Sequence, residues 1–313
     1  MSVYTQLSQQ DFGFICETYQ LGEVVSFKGV ADGIENTTYF FISEKEGLQS
    51  EWVFTLFEYT QEQALPYYLE LYDHLYQQGV PVPDPLLNTE GSRLITLYNK
   101  PGAVFPKLPG RTPKQLTADL CHQCGVELAK FHRAGESYKQ HHQCPKGLAF
   151  WQHSVEHFDE LSSEDKALIQ DGIKRYQDAA QGLPKTSVHG DLFHDNVLVD
   201  NNKITAIIDL FNASYDYAVY DLAITLNDWT LDEQHHILRD RYQAMLDGYE
   251  SVRPLSDKEK TALPIMQQTS AMRWWLSRID TARTFQTQQG DDTSSKDPNQ
   301  MKAQLLALHK QLG

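Results

Sequence analysis

The chain has 313 residues, 41% hydrophobic and 22% charged, which is ordinary for a globular protein and enough for one large domain or two lobes. A formal net charge of −15 leaves no basic stripe to neutralise phosphates, which argues against a nucleic-acid partner. No run approaches 18 apolar residues and the opening Met-Ser-Val-Tyr-Thr-Gln lacks an export pattern, so no membrane partner and a cytoplasmic location are the expectations.

Ser8-Gln-Gln-Asp11 predicts a capped amphipathic helix with Phe12, Ile15 and Tyr19 on one face and Gly22 beyond its end. Strand-like pieces rich in aromatic and β-branched residues follow at Val24 to Lys28, Thr37 to Ile42 and Trp52 to Phe57. A helix over Gln61 to Gln78 stops at Gly79 and the Pro81-Val-Pro-Asp-Pro85 stretch. Two more strands, Leu94 to Tyr98 and Ala103 to Phe105, complete a small, mostly antiparallel sheet. Pro106-Lys-Leu-Pro-Gly110 reads as a hinge.

Beyond it the pattern turns helical. Thr112-Pro113-Lys-Gln115 resembles a capping box, predicting a helix to about Arg133. Cys121-x-x-Cys124 falls inside that helix with no second pair, so it reads as packing rather than metal or redox chemistry. Further helical patterns cover 163–181, 218–229, 232–250, 257–287 and 299–311, with a polar loop between Gly290 and Pro298. With His189-Gly-Asp191, Asn196 and Asp209 in the order of a kinase catalytic loop beyond the hinge, the expected fold class is α+β, bilobal and protein kinase-like. It has an N-terminal nucleotide-binding lobe over 1–105, a hinge over 106–110 and a mainly helical catalytic and substrate-binding lobe over 111–313, with ATP in the cleft between lobes.

The chemistry concentrates in Val188-His-Gly-Asp-Leu-Phe-His-Asp-Asn-Val-Leu-Val199, followed by Ile207-Ile208-Asp209. Phosphoryl transfer from ATP needs one carboxylate at the attacking hydroxyl and hard oxygen ligands for magnesium; the rest is positioning and charge neutralisation. The order matches a kinase catalytic loop and its metal-binding Asp: Asp191 at the hydroxyl, Asn196 and Asp209 on Mg2+. Taken singly, these are common turn residues; the set between two apolar runs is what points to chemistry. His189 reads as a scaffold residue bonding loop backbone.

The sequence resembles the aminoglycoside phosphotransferase and choline kinase superfamily, in His189-Gly-Asp191 and in Tyr220-Asp221-Leu-Ala223. It is further similar to the homoserine kinase branch in Ser26-Phe-Lys-Gly-Val-Ala-Asp-Gly-Ile-Glu-Asn36, Asp221-Leu-Ala-Ile-Thr-Leu-Asn-Asp-Trp229 and Met272-Arg-Trp-Trp-Leu-Ser-Arg278. The resemblance implies transfer of the ATP γ-phosphoryl group to L-homoserine, giving O-phospho-L-homoserine on the way to threonine. It also implies that Asp221 braces the catalytic loop.

Gly29, Gly33 and Asn36 resemble a Gly-rich loop over the ATP phosphates, where backbone N–H groups approach oxyanions closely. Related kinases carry Lys or Arg at the position of Thr55, as this branch does not, and Lys28 is the candidate replacement cation. A zwitterionic acceptor calls for an Arg at its carboxylate and an oxygen ligand at its ammonium. Arg273 and Arg278 lie five apart on one predicted helix, so one of them is expected to face the substrate, and Arg273 is favoured. Asn227, Asp228 or Asp216 would take the ammonium; Trp229, Trp274 and Trp275 read as core rather than a cation cage. Two other readings stay open: the same chemistry on choline, a methylthioribose-like sugar or an aminoglycoside, and a nucleotide-binding pseudokinase, which Thr55 favours.

Overall fold

The computed structural model describes residues 5–30, 36–289 and 297–312 and divides into two compact units. The first comprises Met1–Arg111, Leu198–Asp200 and Thr205–Phe211; the second comprises Thr112–Val197, Asn201–Ile204 and Asn212–Gly313.

In the first unit, α1 (Gln9–Thr18) opens with the predicted box: Ser8 Oγ accepts the Asp11 N–H at 3.3 Å and the Asp11 carboxylate accepts the Ser8 N–H at 2.6 Å. Strands β1 (Glu23–Gly29), β2 (Thr37–Lys45), β3 (Leu48–Leu56), β4 (Ile95–Leu97) and β5 (Lys100–Pro106) form one antiparallel sheet in the order β1-β2-β3-β5-β4. The α1 face closes over it. Phe12 stacks on Phe27 at 4.4 Å and meets Phe41 and Phe54, with Ile15 and Leu56 fully buried alongside. The β3 strand begins four residues before the predicted Trp52. Glu46 (φ 55°) and Gly47 (φ 78°) make a two-residue turn that pairs Lys45 with Leu48, and the exposed Gln49-Ser50-Glu51 continuation carries no apolar signal.

Helix α2 (Leu65–Gln77), entered through a 3-10 turn at Glu62–Ala64, lies between β3 and β4 in sequence. Its buried Tyr68 and Tyr72 pack on Phe211, at 5.8 and 6.2 Å. The Tyr72 hydroxyl accepts the Leu210 N–H at 3.0 Å, and Pro81 O accepts the Ile207 N–H at 2.7 Å. Together with the two-way backbone bridge of Arg111 and Val199, these bonds tie 198–200 and 205–211 into the first unit.

The second unit contains α3 (Ala118–Gly135), α4 (Leu148–His157), α5 (Ser163–Ala179), α6 (Ala218–Trp229), α7 (Arg239–Val252), α8 (Asp257–Gln289) and α9 (Pro298–Leu312). Strands β6 (Lys185–Val188) and β9 (Ser214–Tyr217) pair antiparallel within it, and β7 (Val197–Asp200) pairs with β8 (Lys203–Ile207) across an Asn201-Asn202 turn, φ 47° and 64°. Helices α3 and α7 pack closely enough that a Cβ on Gly125 would strike Met245 O and one on Gly248 would strike His122 O.

Three helix expectations shift. Helix α3 starts at Ala118, not at Thr112: Arg111 is held extended by Val199, and Thr117 is the residue that caps, accepting the Leu120 N–H at 3.2 Å. Helix α7 starts at Arg239, because Asp232 accepts the Gln234 and His236 N–H groups and turns the preceding segment into a loop. The pattern over 148–157 gave no helical expectation, yet α4 forms there with Trp151 and Val155 buried.

Candidate active site

The loop from His189 to Asn196 follows β6 and is held by bonds from α6 and α8 as well as by bonds within itself. The Asp221 carboxylate, fully buried on α6, accepts the His189 N–H at 2.8 Å on Oδ2 and the Gly190 N–H at 2.8 Å on Oδ1. His132 of α3 sits 2.9 Å from the same Oδ2 through Nε2, and its Nδ1 lies 2.7 Å from the Tyr249 hydroxyl. Burial by itself would raise the Asp221 carboxyl. The hydrogen bond from His132, the electrostatic pull of His132 and His189 and the Gly190 N–H offset it and hold the group below its ordinary value.

Gly190 is required on two counts. Its φ is 78°, and a Cβ would come within 2.5 Å of Asn212 O. Arg273 on α8, 2% exposed, donates from Nη1 to Gly190 O at 2.9 Å while its guanidinium stacks 4.2 Å over Trp274. The Asp191 N–H donates to His189 Nδ1 at 3.2 Å. Trp229 Nε1 donates to Leu192 O at 3.1 Å, and both the His194 N–H and its Nδ1 reach Asp228 Oδ2 at 2.7 Å.

Asp191 is half-buried, with Asn212 Nδ2 3.5 Å from its Oδ2. Asn196 donates from Nδ2 to Asp191 O at 2.8 Å, which leaves Oδ1 as the acceptor atom of its amide. Asp191 and Asn196 belong to the second unit. Asp209 belongs to the first, exposed just after β8 and in the left-handed region at φ 63°.

Of the nucleotide-loop positions, Lys28 is exposed opposite Phe40 and Gly29 pairs with Tyr39. Gly33 lies outside the described residues. Asn36 Oδ1 accepts the Glu58 N–H at 3.2 Å and the Thr60 hydroxyl at 3.4 Å. Thr55 is 7% exposed, in register with Thr38 and Ala103. Nearby, Lys100 is ion-paired with the buried Glu58. Burial would raise that carboxyl, but Lys100 and the hydroxyls of Thr37 and Thr5 bring it down.

The chain matches the phosphotransferase enzyme family over residues 26–255. It is 35% identical to the homoserine kinase of Neisseria meningitidis over 310 residues, covering 98% of this chain and 100% of that protein. The Polaromonas naphthalenivorans homoserine kinase is 38% identical over 287 residues, covering 89% of each chain. The chain belongs to the phosphotransferase enzyme family, in its homoserine kinase branch.

The solved structure of an amicoumacin kinase in complex with AMP-PNP, Ca2+ and Ami superposes with a TM-score of 0.72 at 16% identity, covering 98% of this chain and 93% of that one. Choline kinase from Cryptosporidium parvum gives 0.65 at 15% identity, covering 97% and 96%. These likenesses show the fold: bilobal and protein kinase-like, with a small antiparallel-sheet N-terminal lobe and a larger, mainly helical C-terminal lobe.

For a phosphotransferase of this family the donor chemistry suits magnesium. Among the described residues no three His, Cys, Asp or Glu side chains cluster as a metal cage. A magnesium ion carried on nucleotide phosphates asks for only one or two protein oxygens, and an amide oxygen and a carboxylate are hard donors of that kind. Among the described residues no helix is long and apolar enough to cross a membrane.

The second unit also holds a cleft of about 190 Å³, bordered by Phe193 and His194 of the loop after β6 and by α6, α8 and α9. Asn227 and Asp228 reach it, but both have work within the chain. The Asn227 amide is spent on Gln267, donating to its backbone O at 2.7 Å and accepting from its Nε2 at 3.0 Å, and Asp228 holds His194. Nothing in the local pattern marks His132, Asn212 or His194 as loop supports. Ser270, Trp274 and Arg278, which also border the cleft, stand four residues apart on α8; of the three, sequence raised Arg278 as a substrate candidate and placed Trp274 in the core.

Proposed function

We propose that this chain is a homoserine kinase, transferring the γ-phosphoryl group of ATP to the hydroxyl of L-homoserine to give O-phospho-L-homoserine and ADP, in the cytoplasm and toward threonine. The observation that carries the reading is identity of 35% along essentially the whole of a homoserine kinase, in a chain whose Asp191 stands in a loop braced by Asp221.

Asp191 orients the acceptor hydroxyl and takes its proton as the oxygen forms its bond to the γ-phosphorus and ADP departs. Asn196, through Oδ1, and Asp209 are assigned by their motif positions as the magnesium ligands. An ion held there would supply neutralisation of the phosphate charge. Gly29, Gly33 and Asn36 are assigned to the phosphate loop with Lys28 as its cation. His189 and Asp221 hold the loop and touch neither reactant.

The test is a coupled ADP-release assay with magnesium-ATP and a panel of L-homoserine, choline, methylthioribose and kanamycin. Turnover with L-homoserine alone is expected. In Asp191→Asn the rate should fall by about two to four orders of magnitude while nucleotide binding persists. Turnover with another acceptor keeps the mechanism and removes homoserine. Nucleotide binding without any turnover favours the pseudokinase, the reading that Thr55 in place of a cation supports.

A further inference from the structure

Helix α8 sends Ser270, Trp274 and Arg278, four residues apart and so on one face, to the border of the 190 Å³ cleft beside the catalytic loop. Three features of that face point to a ligand. Ser270 is 1% exposed and its Oγ has no hydrogen-bond partner. The indole Nε1 of Trp274 is likewise buried and unpartnered, although the ring is fixed by Arg273 over its face and Phe193 at 5.0 Å. Buried donors without partners are costly to keep in a folded chain unless something completes them.

The third feature is charge. Arg278 is the one Arg or Lys among the described residues lining the cleft. Its bonds, to Asp297 O at 3.0 Å and Gln300 Oε1 at 2.8 Å, both run from Nη1, while a guanidinium carries five N–H groups. The remaining Nε and Nη2 edge is the one that grips a carboxylate with two parallel bonds. Asp228, whose bonds from His194 both run to Oδ2, Asp232, which also accepts the Gln234 and His236 N–H groups, and Glu233 bring carboxylates to the same cleft. A pocket with one fork of positive charge and several acidic groups is complementary to a small zwitterion. Its volume is below the roughly 300–1,000 Å³ usual for drug-sized ligands.

We infer that this cleft is the α-amino-acid recognition pocket, with Arg278 binding the substrate carboxylate, the acidic rim its ammonium, and Ser270 and Trp274 supplying the completing hydrogen bonds. The assignment deepens the proposed function and rests on it for the identity of the acceptor. It makes Arg278 a specificity-determining residue that distinguishes an amino acid from an amino alcohol.

The test compares L-homoserine with 3-aminopropan-1-ol, the same molecule without its carboxylate. Arg278→Gln should raise KM for L-homoserine roughly 100-fold, with a much smaller effect on kcat, and leave KM for the amino alcohol where it was. Arg278→Lys keeps a charge and a donor toward α9 and should fall between; it carries the same readout where the Gln variant folds poorly. Calorimetric titration of L-homoserine into Asp191→Asn, with and without Arg278→Gln, reads binding apart from phosphoryl transfer. Wild-type turnover of L-homoserine tests the proposed function by itself, and the titration tests the pocket by itself. A loss falling equally on both compounds, or homoserine binding undiminished in the Arg278→Gln background, overturns the assignment.

Discussion

The carboxylate of Asp221 holds Gly190 in place: Oδ1 accepts the Gly190 N–H at 2.8 Å while Oδ2 accepts that of His189 at 2.8 Å. Two consecutive peptide N–H groups aimed at one carboxylate fix the chain direction immediately before Asp191. An Asp buried on α6 therefore sets where the Asp191 carboxylate stands. The brace continues outward through His132 and Tyr249 to Arg253, which donates to the Tyr249 hydroxyl at 3.2 Å and pairs with Glu259 at 2.8 Å. Loop, α3, α6 and α7 are thus joined by one polar network inside the second unit.

Asp221 gives the fold a pH dependence of defined sign. Its folded pKa lies below the ordinary value, burial being more than offset by His132, His189 and the Gly190 N–H. A depressed folded pKa contributes stability that is complete above the unfolded value of about 3.9 and is lost as pH falls through the folded one. Asp221→Asn should cost about 3–5 kcal/mol at neutral pH, since it leaves His132 and one backbone N–H facing a poorer partner in a buried site. It should also flatten the acid limb of stability. Urea unfolding of both proteins between about pH 3 and 7 measures this, and equal stability at neutral pH would count against the brace.

Gly190→Ala combines two penalties, a left-handed φ and a Cβ within 2.5 Å of Asn212 O. Strain of about 1–3 kcal/mol is expected, relieved by a shift of the peptide that Asp221 and Arg273 hold. Because that peptide precedes Asp191, kcat should drop by tenfold or more while the thermal midpoint moves only a few degrees. Steady-state kinetics beside a melting curve separates the two. A variant with full kcat would show that the loop tolerates another path.

How much of this could be read from the chain depends on the range of the interaction. The capping box at Ser8 and Asp11 is local, and it forms as the spacing predicts. The start of α3 is not local: Thr112-Pro113 has capping character, but Val199, far along the sequence, holds Arg111 extended. The early residues of β3 are polar and exposed, so only their pairing with β2 reveals them as strand. At the site, the order of Asp191, Asn196 and Asp209 is a sequence pattern, and the structure adds that the first two share the second unit while Asp209 belongs to the first. The locked amide of Asn227 was not legible, since Gln267 lies on another helix. Nor did the preference for Arg273 over Arg278 as the substrate's arginine have a local basis. Their spacing says that they occupy different faces, but the rotation of α8 decides which face meets the loop and which meets the cleft.

That rotation separates the two arginines by what each substitution should do. Arg273 is buried, stacked on Trp274 and bonded to Gly190 O, so it acts on the peptide ahead of Asp191. Lysine cannot both stack as a plane and reach that carbonyl. Arg273→Lys should therefore lower kcat for L-homoserine and for 3-aminopropan-1-ol by the same factor, about tenfold, with KM little changed for either. If Arg273 instead gripped the substrate carboxylate, as the sequence first suggests, the loss would appear in KM and only for the amino acid. Steady-state kinetics with the two acceptors decides between these outcomes, and a selective KM effect would return the carboxylate contact to Arg273.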